Sequence, residues 1–527
     1  MSINKNKAAQ IIKAAFGKDI YSESLQQIGG TWIAITKSDK GNKKLVCLQV
    51  QDSELFANLQ AQIEKTFKDI HCKLCTLSAN NAKTIRKYVP WAMPTPSDKQ
   101  NTLLGTGDRL GIATPGHIQT AKKTKVRPVL AQASDETLVM SGFSYTQILD
   151  NATWGVLQTA WQNGWSANAE QLNHEQDIQE VISAGYSGIS LDCSSEIKLI
   201  YDFDAEQINK LYAQLPDSWR QDLEARYLNQ VFEIQEYGTV RLPLCASGGN
   251  LRYKAGVFKI SYNIEQLQQL AVGYGEMLNF ATDIYNKYLR ELPEFEFTPA
   301  ISRSELITSP QAHLFVANEL SYRHINFSGL ALRFVGDFPA GIDYAGNKWA
   351  FEQTFSIHAA IADHFGHRLD FAYSDKYSLY PFIGRDTRGR IALKTEGTSW
   401  LEALHTIWKA NPELFKDILN FTRKCLPELK TQVHTLTLEH LQPLDRYTHK
   451  ELEKLVVCDD ACRQALHLAC GLILKDQKLR LAIYNCLQAN ETLHYKAVSE
   501  NLNKHIEYLR TIKRSLGLPR NRFFKTE

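Results

Sequence analysis

From about residue 100 to 420 the chain alternates short β-type runs with stretches of helical apolar spacing. The β-type runs fall at 109–113, 128–132, 165–170, 186–192, 295–301, 328–335, 368–373 and 390–394. Helical stretches lie between them at 146–163, 175–184, 264–290, 310–323, 351–365 and 400–409. Such alternation predicts a parallel sheet joined by helical crossovers. Eight units in roughly 300 residues predict a closed barrel rather than an open sheet. The insertion at 194–262, between the fourth and fifth runs, is partly helical and predicts a lid or subdomain over the barrel mouth.

The flanks read differently. Residues 1–97 begin with an amphipathic stretch at 8–16, then strand-like runs at 31–36 and 44–50 and a helical stretch at 54–67. Val89-Pro-Trp-Ala-Met-Pro-Thr-Pro96 carries three prolines, which stop a helix or a central strand and place a boundary there. Residues 98–420 form the barrel, and 421–527 show helical apolar spacing at 463–474, 479–487 and 494–509. Ser515-Leu-Gly-Leu-Pro519 reads as the stop of the last helix. The expected fold is α/β: a (β/α)8 TIM-like barrel with an N-terminal α/β unit and a helical C-terminal region. That region serves as a cap or as the surface of a homo-oligomer.

Composition narrows the partners. A chain of 527 residues with 44% apolar and 22% charged residues is an ordinary globular protein of two or three domains. With 60 basic and 57 acidic residues it has no whole-molecule field favouring nucleic acid. The basic end (Lys513, Arg514, Arg520, Arg522, Lys525) reads as a solvated tail. No secretory segment or run of about 20 apolar residues is visible, so a cytoplasmic protein without a membrane partner is the default expectation. His71-Cys-Lys-Leu-Cys75 and the Cys458/Cys462 pair look like halves of zinc sites without a spaced partner, and read as buried free thiols.

A barrel of this kind carries its chemistry at the carboxyl ends of its strands. Those ends bring Gln132, Glu170, Gln171, Asp192, Arg303, Asp337, Asp375, Lys376, Lys394 and Thr395 to one face, with Arg109 in the glycine-rich Gly105-Thr-Gly-Asp-Arg-Leu-Gly111. Arg109, Lys376 and Lys394 suit a carboxylate. Asp192, Asp337 and Gln132 suit sugar hydroxyls. His117, after a Thr-Pro-Gly turn, is expected to be partly exposed, whereas His358 and His364 belong to the outer layer. Asp108 and Arg109 alternatively brace a tight turn, and Asp337 alternatively caps the following segment. Together these residues point to a small-molecule sugar acid or polyol. There is no serine elbow, no phosphate loop of the Walker type, and no pair of strand-end histidines to hold a metal.

The chain resembles the tagaturonate/fructuronate epimerase family in several long motifs. They are Gly105-Thr-Gly-Asp-Arg-Leu-Gly-Ile-Ala-Thr-Pro-Gly-His117, Asp150-Asn-Ala-Thr-Trp-Gly-Val156, Leu332-Arg-Phe-Val-Gly-Asp-Phe338 with Gly341-Ile-Asp-Tyr344, Ser374-Asp-Lys-Tyr-Ser-Leu-Tyr-Pro381, and Lys394-Thr-Glu-Gly-Thr-Ser-Trp-Leu-Glu-Ala403. The resemblance implies epimerisation of a keto-hexuronate at carbon 4, with a divalent metal on the substrate oxygens and paired acid and base residues.

The departures fall on the positions to which the resemblance assigns that work. Its Asp-Ala-Asp-His reads Asn168-Ala-Glu-Gln171 here, and its Ser-Val-Asp-Glu-Thr reads Ala300-Ile-Ser-Arg-Ser304. Its Leu-His-Ser-Gly becomes the shorter Phe371-Ala-Tyr373, and its Asp-Pro-Ser-Asp-His becomes Asp192-Cys-Ser-Ser-Glu196. The histidine before Lys-Thr is Ala392. Gln171, Ala372 and Ala392 thus stand at matching ligand positions, and no cofactor is expected. The expected function is sugar-acid binding in hexuronate metabolism, with the parent metal-dependent activity lost or altered. One alternative is an active epimerase or isomerase in which Arg303 holds the substrate carboxylate and Glu170 or Glu305 is a metal-free acid or base. Another is a non-catalytic scaffold for an active paralogue.

Overall fold

The computed structural model describes residues 3–37, 42–97, 102–235, 257–292, 294–339, 341–372, 376–395, 397–429 and 459–510. Tyr373, Asp375, Cys458, the 515–519 helix stop and the basic tail lie outside them.

The first unit is an antiparallel sheet of β1 (Gln26–Ile28), β2 (Thr31–Ile35), β3 (Leu45–Gln49), β4 (Ile63–Phe67) and β5 (Ile70–Cys75), in the order β1-β2-β3-β5-β4. Both faces are covered, so every residue of β2 is buried. One face packs Trp32, Val46 and Leu48 on Ile11 and Ile12 of helix Lys5–Phe16. The other packs Ile33, Ile35 and Cys47 on Ile85 of helix Ala79–Tyr88 and on Trp154 and Leu157 of barrel helix Tyr145–Thr159. The predicted helix at 54–67 is a short helix, Glu54–Asn58, followed by β4. Lys68 and Asp69 both take positive φ and close a β4–β5 hairpin, a turn type that Asn-Gly signals and Lys-Asp conceals. Cys72 and Cys75 are buried free thiols on β5, and Cys462 is one on a C-terminal helix.

The barrel strands are β6 (Leu103–Gly105), β7 (Arg127–Ser134), β8 (Ser166–Leu172), β9 (Gly188–Asp192), β12 (Glu296–Ala300), β13 (Gly329–Leu330), β14 (Arg368–Ala372) and β15 (Ile391–Lys394). A hairpin of β10 (Val231–Gln235) and β11 (Val257–Ser261) belongs to the insertion. The barrel strands pair in parallel, in the order β12-β9-β8-β7-β6-β15-β14-β13. The ring closes where Ala300 bridges Ala331 and Ser328 N–H donates to Phe297 O at 2.7 Å. The fold is a TIM-like α/β barrel.

Seven of the expected strands fall on observed ones, and the first does not. Residues 109–113 form a loop wound on the Asp108 carboxylate, which accepts from the N–H groups of Leu110 (3.0 Å), Gly111 (2.9 Å) and Ala113 (2.6 Å). The strand is instead Leu103–Gly105, three residues that pair with β7 on one side and β15 on the other.

The α-helices of the insertion lie on the outer helical layer. Its helices Ala205–Ala213 and Asp217–Tyr227 pack on helix Ile264–Ile284. Trp219, Arg226 and Tyr227 all donate to the buried Glu319 carboxylate of helix Pro310–Tyr322. At the other end of the chain, helix Glu491–Leu509 packs on helices Thr114–Thr124, Tyr380–Thr387 and Thr398–Ala410. Gly116 permits this approach, since a Cβ there would stand 2.9 Å from Tyr495 O. Among the described residues no helix is long and apolar enough to cross a membrane.

Candidate functional site at the barrel mouth

Alternate residues of a barrel strand point inward. On β15 these are Ala392 and Lys394. Ala392 packs on Leu103 and Val129, whereas Lys394 stands at the mouth end. The Lys394 Nζ lies 3.4 Å from Glu170 and 3.2 Å from Asp370, and Gln132 Nε2 donates to Glu170 at 3.3 Å. All four side chains are buried. Gly105 leaves the room for Gln132, whose Oε1 would stand 2.5 Å from a Cβ there. Burial raises the Glu170 carboxyl above its ordinary range against the pull of Lys394. Burial also works against the Lys394 ammonium, but the two carboxylates outweigh it and its pKa is raised. Nearby, Gln132 Oε1, Asn168 Oδ1 and Ser190 Oγ on β7, β8 and β9 are buried without a hydrogen-bond partner among the described residues.

A second set of charges forms the rim. Arg303 follows β12. Its guanidinium donates to Asp135 (3.0 and 3.3 Å), to Asp192 (3.5 Å) and to the Gln171 carboxamide oxygen. Gln171 is aimed there by a bulge. Its φ is +59°, and the β8–β9 register shifts between Ala169 and Leu172. Ser194 N–H donates to the other Asp192 oxygen at 3.0 Å, and the Arg303 N–H donates to Ser194 Oγ at 3.2 Å.

The C-terminal region reaches this rim. Arg109, 1% exposed, donates through Nη1 to His467 O (3.2 Å) and through Nη2 to Glu136 (3.1 Å), and the same Nη2 lies 3.1 Å from His467 Nε2. Lys376 is paired with Asp460 at 3.0 Å. Both cations therefore already hold helix Asp460–Leu468.

The remaining candidates stand apart from the inner cluster. His117 is not partly exposed: it is buried in helix Thr114–Thr124, 2.9 Å from Ser399 Oγ, and burial lowers its pKa to about 3. Asp337 is mostly exposed, paired with Arg333 at 2.9 Å in a turn that bridges Ala345. Glu305 is exposed and accepts from Tyr201 O–H at 3.1 Å. His358 lies in the outer layer and contacts His313, which in turn contacts His367, each at 3.1 Å.

The structure thus gathers Gln132, Glu170 and Lys394 inside the mouth, and Asp192 with Arg303 on its rim. Asp370 was not anticipated, although Arg368 and Asp370 alternate with the apolar Leu369 and Phe371 as inward positions of a strand should. Asp135 and Glu136 carried only the signal of a helix start after Ser134. His467 carried none.

A family model for tagaturonate epimerase matches residues 21–242 and 249–509, nearly the whole length of the chain. The chain belongs to the tagaturonate epimerase family. The tagaturonate/fructuronate epimerase of Thermotoga maritima is 28% identical to it over 505 residues, covering 95% of this chain and 99% of that protein. The native crystal structure of the fructuronate-tagaturonate epimerase from Cohnella laeviribosi matches at a TM-score of 0.83 and 31% identity, over 96% of this chain and 99% of that one. A glycerol complex of the Cohnella protein matches at the same TM-score and 30% identity. In this tagaturonate epimerase homologue Lys394, which opens its motif, lies in the inner cluster, and the Gly105–His117 motif runs from the last residue of the first strand through the Asp108 loop to the start of the helix behind it.

Proposed function

We propose that the barrel mouth binds a sugar acid of the hexuronate class, and that the metal-dependent epimerisation implied by the family is lost or altered in this chain. The observation that carries this reading is the inner cluster. Lys394 offers a fixed ammonium, Glu170 and Asp370 accept, and Gln132 donates and accepts, all within a closed barrel interior. The unpartnered acceptors at Gln132, Asn168 and Ser190 complement the hydroxyls of a polyol chain. The family membership supplies the chemical class, since the Thermotoga and Cohnella relatives are named for tagaturonate and fructuronate.

One observation favours a second reading, residual epimerase or isomerase activity. Glu170, raised in pKa and beside Lys394, can exchange a proton with the substrate while the ammonium stabilises an oxygen on which negative charge develops.

Thermal melts of the purified protein with tagaturonate, fructuronate, an aldonate and an uncharged hexitol test the binding. At about 100 times Kd a ligand stabilises by about 2.7 kcal/mol, so the acids should raise Tm and the hexitol should not. No shift with either hexuronate at millimolar concentration would remove the proposal. Following tagaturonate and fructuronate by NMR during incubation separates binding from turnover.

A further inference from the structure

The residues present do not fit the divalent ion implied by the family. Two of the matching ligand positions are Ala372 and Ala392, and an alanine has no lone pair to offer. The third, Gln171, is a neutral oxygen donor and is weak for a transition ion. Its oxygen already accepts from Arg303. Asp135 and Asp192, carboxylates on this side, also face the guanidinium. Among the described residues no three His, Cys, Asp or Glu side chains are grouped to hold one ion.

We infer that the Arg303 guanidinium is a tethered cation standing in for that ion, so that the mouth takes its anionic ligand without a divalent metal. The geometry is that of a bridging charge. Arg303 hangs from the end of β12 and its planar fork reaches the ends of β9 (Asp192), β8 (Gln171) and β7 (Asp135). These four strands are consecutive in the ring. One group thereby links four neighbouring strand ends, as an ion with protein ligands would. A guanidinium suits the task because it stays protonated, is weakly hydrated and matches carboxylate geometry in bidentate fashion. It also repels any dication brought to the same acceptors. About a third of the side chain remains exposed (38%), which leaves part of it open to the mouth. With Lys394 inside the barrel, the site has a guanidinium at the rim and an ammonium in the interior, each flanked by two carboxylates that can accept from hydroxyls. That arrangement fits a polyhydroxylated monocarboxylate. The metal part of this inference stands on the Arg303 contacts alone, and only its ligand part rests on the proposed sugar-acid function.

The test uses the full-length protein after exhaustive chelation, titrated calorimetrically with Mn2+ and with Zn2+, and melted with and without tagaturonate and EDTA. Wild type is expected to show no saturable metal binding tighter than about millimolar, and any tagaturonate-induced shift in Tm should be the same with EDTA present. Arg303→Glu returns a carboxylate beside Asp135 and Asp192, and should tighten Mn2+ binding by about tenfold or more over wild type. Arg303→Gln, neutral and of similar length, should fall between the two and serves if the Glu variant does not fold. Stoichiometric metal in the purified wild-type protein would overturn the inference, as would a tagaturonate shift abolished by EDTA and restored by Mn2+ or Zn2+. Equal Mn2+ affinity in all three proteins would overturn it as well. Absence of any tagaturonate shift, with or without metal, removes the proposed function, while the metal titrations still decide the role of Arg303.

Discussion

The Arg109 guanidinium donates to the backbone carbonyl of His467, 358 positions later in the chain, at 3.2 Å. A loop of the first barrel unit and a C-terminal helix therefore share one buried cation, and the C-terminal region is part of the mouth. Arg109→Ala removes that bond and the Glu136 pair together. A loss of about 2–4 kcal/mol in urea unfolding is expected, from charge-assisted hydrogen bonds in a buried setting. A change under 0.5 kcal/mol would mean that the helix is held by its apolar contacts alone.

Lys394→Met leaves Glu170 and Asp370 buried without their cation. The variant should lose about 3 kcal/mol at pH 7 and lose hexuronate binding as well. Protonating the stranded carboxylates relieves the defect, so the gap to wild type should narrow between pH 7 and pH 5. Parallel chemical melts at both pH values check this, and a gap that widens on acidification would contradict it.

Acid should destabilise the protein from a well-defined pH. Burial lowers His117, His358 and His505 to about 3 and His494 to about 4, and holds His313 and His467 well below the ordinary range. A histidine whose folded pKa lies below its unfolded value near 6.5 binds more protons when unfolded. Its stabilising contribution is therefore complete above 6.5 and shrinks as pH falls toward the folded pKa. Each such group costs up to about 1.4 kcal/mol per pH unit in that window. Thermal melts by circular dichroism should show Tm falling steeply below about pH 6. A flat Tm from pH 7.5 to 5 would show that these imidazoles are not buried in their neutral form.

Glu319 fastens the insertion to the barrel through Trp219, Arg226 and Tyr227, with Arg226 at 2.9 Å. Glu319→Ala strands that arginine and opens a polar void. A loss of about 3 kcal/mol is expected, together with faster proteolysis within the insertion than elsewhere. Uniform digestion at the wild-type rate would show that the apolar packing of Leu223 and Tyr227 suffices.

Much of the barrel was readable along the chain because its strands and helices are written in local periodicity. β8, β9, β12, β14 and β15 lie within a few residues of their expected positions, since a run buried on both faces must be apolar over its whole length or alternate with inward polar groups. The exceptions have separate causes. Leu103–Gly105 is three residues long, too short for periodicity to register, and gains its strand identity from two neighbours far off in the chain. The Lys68-Asp69 hairpin has turn residues that propensity does not flag.

The site divides along the same line. That Lys394, Glu170 and Gln132 would meet followed from periodicity plus the rule that strand ends converge, because side-chain direction alternates along a strand. Arg109 and Lys376 looked like ligand-binding cations in one dimension. In three dimensions they are taken by His467, Glu136 and Asp460, and Arg303 is taken by Asp135, Asp192 and Gln171. Residue type states what charge a position offers. Which partner neutralises it depends on distances of a few ångströms between segments hundreds of residues apart, and no local pattern encodes those.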